Sequence, residues 1–188
     1  VAWHARFGLY LPVSVNVSAL QLRAPRALVE DVLAALRSSG MPGNFLTLEL
    51  TESMMINATA EALAALNELR SLGISIALDD FGTGYSSLGY LRRLPVDCLK
   101  IDRSFVSDLS VDEDAERMLQ AILGIATALR LSTVAEGIET QAQLEALCRH
   151  GCQEGQGFLL ARPLDIPAFE ALLAESVTVL ATGTSAAI

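Results

Sequence analysis

Six short apolar runs, at residues 13–17, 45–50, 74–78, 98–101, 132–135 and 155–158, dictate how this chain can fold. Between them lie helical patterns at 27–38, 58–72, 87–93, 112–131 and 140–150, with a closing one at 167–174. In the first, Leu28, Val32, Leu33 and Leu36 share one face, the 3.6-residue spacing of a half-buried helix. Gly40, Pro42 and Gly43 break that pattern, Gly73 stands where a left-handed glycine closes a helix, and Thr140 is placed to cap the next one. Strand and helix in strict alternation predict a parallel sheet covered by helices. The continuous apolar runs predict strands buried on both faces. A barrel and an open doubly wound sheet both satisfy the pattern. No Gly-x-Gly-x-x-Gly string follows the first run, which weighs against a dinucleotide-binding open sheet. A full barrel takes eight units and about 250 residues, so six units in 188 residues predict a barrel short of its beginning. The expected folded body is 1–176, and the weakly patterned tail 177–188 is expected to fray.

Composition narrows the function. An apolar fraction of 52% with 19% charged residues is that of a domain with a real core, not of a disordered chain. The net charge of −9 argues against DNA or RNA as a partner, since counterion displacement needs a basic surface. A small phosphorylated ligand stays compatible if metal ions supply positive charge locally. Three cysteines, Cys98, Cys148 and Cys152, make no disulfide framework and fit a reducing cytoplasm. Cys148 and Cys152 lack a second ligand pair at zinc-finger spacing. No apolar run reaches the roughly 18–20 residues that span a bilayer, and no signal peptide is visible. This segment is therefore expected in the cytoplasm without membrane contact, in a parent that a membrane anchor could tether. The start at Val1, without Met, reads as that of a fragment.

The chemistry is suggested by what ends each run. Asn16 ends the first, Glu49 the second, and Asp79 with Asp80 the third. Lys100 and Asp102 flank Ile101 in the fourth, Glu136 and Glu139 follow the fifth, and Gln156 lies in the sixth. In a parallel sheet these carboxyl-terminal ends converge on one side, where active sites of such folds lie. Carboxylates and an amide oxygen form a hard-oxygen cage suited to Mg2+ or Mn2+ rather than zinc. Adjacent Asp79 and Asp80 can serve two ions if one carboxylate bridges, the arrangement that clamps a phosphoryl displacement. Lys100 would hold a water or a developing negative charge, with a plain salt bridge as the alternative. The string Asp80-Phe81-Gly82 occurs in protein kinases too, but their catalytic loop, lysine strand and Gly-rich loop are all missing from this sequence.

These strings, taken together, resemble the EAL-domain family of cyclic di-GMP phosphodiesterases. The matching segments are Ser14-Val15-Asn16-Val17-Ser18, Glu49-Leu50-Thr51-Glu52, Asp79-Asp80-Phe81-Gly82-Thr83-Gly84-Tyr85-Ser86-Ser87-Leu88, Leu99-Lys100-Ile101-Asp102, Ala135-Glu136-Gly137-Ile138-Glu139-Thr140, and Gln156-Gly157-Phe158 with Arg162-Pro163. They stand in the family's order and cover nearly the whole chain. The resemblance implies a TIM-like (β/α) barrel lacking its first strands and helices. It implies hydrolysis of cyclic di-GMP to linear pGpG by a two-metal mechanism with Mg2+ or Mn2+. Asn16, Glu49 and Asp79 would hold one ion, with Asp79 bridging, and Asp80 and Glu136 the second. Lys100, Glu136 and Asp80 would form the catalytic set, with Lys100 positioning the attacking water. Glu52, Asp102, Glu139 and Gln156 would support ligand and loops, Glu52 by pinning the loop 80–87. A homodimer and a parent protein carrying a sensor or GGDEF domain are further implications. The Glu-Ala-Leu signature of the family is missing from this sequence, so one ligand and about two opening barrel elements are expected upstream. A truncated active parent is the reading favoured by the otherwise complete ligand set. A receptor that binds cyclic di-GMP or a protein without turnover is the alternative, and a parallel α/β protein for another phosphate is a weaker third.

Overall fold

Strand order separates the two architectures left open by the periodicity. In the computed structural model, which describes residues 2–7, 10–82, 88–109 and 111–182, six parallel strands lie side by side in the order of the sequence. They are β1 (Val13–Asn16), β2 (Leu46–Thr51), β3 (Ser75–Phe81), β4 (Cys98–Ile101), β5 (Ser132–Ala135) and β6 (Glu154–Gly155). A doubly wound sheet reverses direction at a switch point. This one never does, and the consecutive order is that of a (β/α) barrel.

The helices among the described residues are α1 (Ala2–Phe7), α2 (Ala19–Leu22), α3 (Pro25–Ser39), α4 (Glu52–Ile56), α5 (Ala60–Ser71), α6 (Leu88–Leu91), α7 (Glu113–Leu129), α8 (Gln141–Arg149) and α9 (Ile166–Thr182). Local chemistry sets their ends. Pro25 opens α3, and Gly40 closes it in the left-handed region at φ +68°. Thr59 caps α5 by accepting from the Ala62 amide. Thr140 and Gln143 form a reciprocal capping box at α8. None of the described helices is long and apolar enough to cross a membrane.

The core lies between the helices and the sheet face they cover. Leu48, Leu50, Ile76, Leu78, Leu99 and Ile101 meet Leu66, Leu69, Leu119 and Ile122 there, all essentially buried. Each such aliphatic side chain contributes about 1.5–3 kcal/mol of burial free energy. The expectation of two buried faces fails on the first two strands. In β2, buried Leu46, Leu48 and Leu50 alternate with half-buried Thr47, Glu49 and Thr51. Edge strand β1 is exposed along its length, including Val13 and Val15, because it has a strand neighbour on one side only among the described residues.

Two compact units divide the chain. The sheet and its covering helices fall in Pro12–Ala161. The second unit combines Val1–Leu11 with Arg162–Ile188. Within it the Trp3 indole donates to Glu170 Oε1 at 3.0 Å and its ring lies 5.0 Å from that of Phe169. The weakly patterned tail is helical as far as Thr182.

Candidate active site

Four strand ends meet at one buried ammonium. Lys100 of β4 is 5% exposed, and its Nζ lies 2.7 Å from Glu49 Oε2 of β2, 3.0 Å from Asp79 Oδ1 of β3 and 2.7 Å from Glu136 Oε1 just after β5. Glu136 is held from both sides. Its amide donates to Ile101 O at 3.0 Å, and its Oε1 accepts from Gln156 Nε2 at 2.8 Å.

A defect in the sheet lets two consecutive acids share the site. Side chains at i and i+1 of a regular strand point to opposite faces. Between β3 and β4, Leu78 pairs with Leu99 but Phe81 pairs with Ile101, so three steps on one strand match two on the other. The extra residue makes a β-bulge. Asp80 sits there at φ +55°, a left-handed backbone that aspartate tolerates better than most residues. Carboxylate oxygens of Asp79, Asp80 and Glu136 consequently lie within 4.8 Å of one another.

Crowding of charge moves the titrations. Burial pulls the Lys100 pKa down, but hydrogen bonds to Glu136, Glu49 and Asp79 outweigh it and leave the ammonium far above its ordinary value. Burial raises the Glu136 carboxyl, and repulsion from Asp79 and Glu49 adds to that against the pull of Lys100. Asp80 is raised by burial, then by the charges of Asp79 and Asp102. Three carboxylates face a single ammonium and Asp80 lies beside two of them, so the cluster keeps a formal excess of negative charge. Hard oxygen donors and charge that the Lys100 ammonium leaves unneutralised fit a site for divalent ions.

The remaining residues expected at the site are placed as follows. Asn16 is exposed and pairs in register with Glu49, which puts it at the same strand-end level. Glu52, in the first turn of α4, is 4% exposed. Its Oε2 accepts from the Gly82 amide at 3.2 Å, and its buried Oε1 has no partner among the described residues. Residues 83–87 of the loop that Glu52 was expected to pin lie outside the described residues. Asp102 caps the short 3-10 turn Arg103–Phe105, accepting from the Ser104 amide at 3.0 Å. Hydrogen bonding from the Ser104 side chain, backed by the Ser104 and Arg103 amides, holds its carboxyl below the ordinary range despite burial. Glu139 pairs with Arg103 at 3.1 Å rather than with the Lys100 cluster. Arg103 and Phe105 escaped the sequence reading. The nearest signal was Gly137, a glycine set between two acids.

The family model described as EAL domain matches residues 2–163. The chain belongs to the EAL-domain family. Among the relatives of this EAL chain, the cyclic di-GMP phosphodiesterase NbdA of Pseudomonas aeruginosa is 45% identical over 163 residues, 87% of this chain and 21% of NbdA. The chain thus spans about one fifth of the length of the curated relatives it matches first. The structure of the P. aeruginosa MucR phosphodiesterase in complex with c-di-GMP superposes with a TM-score of 0.78 at 45% identity, covering 84% of this chain and 64% of that one. The manganese/cy-diGMP complex of Klebsiella pneumoniae BlrP1 gives a TM-score of 0.77 at 28% identity, covering 86% of this chain and 42% of that one. EAL domains are TIM-like barrels, and the six-stranded sheet described above is a half-barrel of that kind.

Proposed function

We propose that this EAL chain carries the catalytic centre of a cyclic di-GMP phosphodiesterase, opening one phosphodiester to give linear pGpG with two Mg2+ or Mn2+ ions. The observation that carries the reading is the convergence of Glu49, Asp79 and Glu136 on Lys100, with Asp80 brought alongside by the bulge. Asn16, Glu49 and Asp79 would hold one ion, and Asp79, Asp80 and Glu136 the other. The bound ions would offset charge on the phosphodiester oxygens. Hydrogen bonds to Glu136, Glu49 and Asp79 favour the charged form of Lys100, which would act as a donor that orients water. Gln156 holds the Glu136 carboxylate in place, and Glu52 fixes the start of the following loop through Gly82. A homodimer and a cytoplasmic site of action, in a parent with a sensor or diguanylate cyclase domain, complete the reading. It is supported by the names of relatives such as NbdA and the bifunctional MucR.

Hydrolysis of cyclic di-GMP with Mn2+, followed by nucleotide chromatography, tests the proposal. Glu49→Ala and Asp79→Ala are each expected to abolish turnover. Wild-type rates in either variant would show that the cage is misassigned. Tight binding of cyclic di-GMP without hydrolysis, with both acids intact, would favour the receptor alternative.

A further inference from the structure

Two glycines follow the clustered acids, and both are touched by side chains of the same short turn. Gly82 follows Asp79, Asp80 and Phe81, and Gly137 follows Glu136. Both adopt positive φ, +98° and +70°. A Cβ on Gly82 would lie 2.6 Å from Cε2 and Cζ of Phe105, and one on Gly137 would lie 2.5–2.9 Å from Cγ, Cβ and Cδ of Arg103. Arg103 and Phe105 are the two ends of a single 3-10 turn that begins three residues after Lys100.

We propose that the turn Arg103–Phe105 is a brace whose two arms, Arg103 and Phe105, are positioning residues that fix the Glu136 and Asp79–Asp80 carboxylates relative to each other. The Arg103 stem lies on Gly137, next to Glu136, while its guanidinium reaches Glu139 at 3.1 Å, so one side chain touches the segment after Glu136 at two points. Phe105 presses on Gly82, the residue directly after Phe81, where the register resumes past the bulge. The brace is itself anchored. Asp102 caps its start, and buried Gln143 ties its exit to the braced segment, donating to Ser107 O at 3.1 Å and accepting from the Glu139 and Thr140 amides at 2.8 and 2.9 Å. Side chains that orient metal ligands without touching the metal are commonly worth 10–100-fold in affinity.

The functional consequence rests on the metal reading above, so the test separates the two. Mn2+ affinity is measured by titration followed by electron paramagnetic resonance, and backbone hydrogen exchange is measured on metal-free protein. The variants are Arg103→Ala, Phe105→Ala and the milder Arg103→Lys and Phe105→Leu. Each alanine variant is expected to weaken Mn2+ binding about tenfold, with the milder pair in between. Exchange is expected to quicken at 79–82 for Phe105→Ala and at 136–139 for Arg103→Ala. Affinities within twofold of the parent, or exchange that rises evenly over the whole sheet, overturn the brace. If the parent binds no Mn2+, the metal reading fails and exchange alone decides. Segment-specific quickening then upholds the brace, and its absence refutes it.

Discussion

Replacing Lys100 by methionine should expose how much of this fold depends on one ammonium. The substitution keeps an unbranched stem but leaves Glu49, Asp79 and Glu136, whose side chains are 11%, 15% and 17% exposed, without their shared cation. Stranding a buried charge costs about 3–5 kcal/mol. Partial hydration of the three acids places the expected loss at the lower end, about 3 kcal/mol in EDTA-treated protein at neutral pH. At about 2–4 °C per kcal/mol for a chain of this size, melting should fall by roughly 6–12 °C. The loss must depend on pH. Burial already raises the Glu136 carboxyl above its ordinary value, and losing the opposing pull of Lys100 raises it further. A carboxyl raised in the folded state favours folding below its unfolded pKa, about 4, and that contribution disappears as pH rises through the folded value. The deficit against the parent is therefore largest at neutral pH and shrinks on acidification. Urea unfolding at pH 7.5 and pH 5 reads both terms. A deficit below about 1 kcal/mol, or one equal at the two pH values, would refute the shared-cation argument.

Asp80→Asn keeps a side chain suited to left-handed backbone and removes a charge that burial and Asp79 disfavour. Metal-free protein should gain stability at neutral pH but not in acid, while Mn2+ binding weakens at least about tenfold, as calorimetry of the same samples would read. Asp97→Ala tests the opposite end of the sheet, where Asp97 accepts from Arg70 Nε and Nη2 and from the Ile76 amide. It should cost about 2–3 kcal/mol by the loss of charge-assisted bonds in denaturant unfolding and leave Mn2+ affinity untouched. A changed affinity would show that the two ends are coupled.

Strands β4 and β5 were legible to the residue, because Cys98–Ile101 and Ser132–Ala135 are β-rich runs between clear breaks. The others drifted. β2 starts one residue late, after a 3-10 turn at Gly43–Phe45, and β6 stops at Gly155. There Gly157 packs against the Ile138 backbone with no room for a Cβ, a tertiary contact that no local pattern encodes. Helix α4 was missed because five residues carry too little periodicity to register. At the site, strand-end acids announced the cluster. Asp102 looked the same in sequence; it caps the turn that follows and its charge also reaches Asp80, a double placement that only the fold displays. The register slip at Asp79–Asp80 has no sequence signature beyond the doubled acid itself.

That slip sets a bound on how this sheet can be improved. Taking one residue out of the doubled acid would restore an unbroken hydrogen-bond ladder and relieve an unfavourable backbone angle, so it would look like a stabilising edit. It would also leave one carboxylate, at the Asp79 position, where the slip now brings two beside Glu136. Selection for a sturdier strand and selection for a working centre thus pull against each other at a single peptide unit.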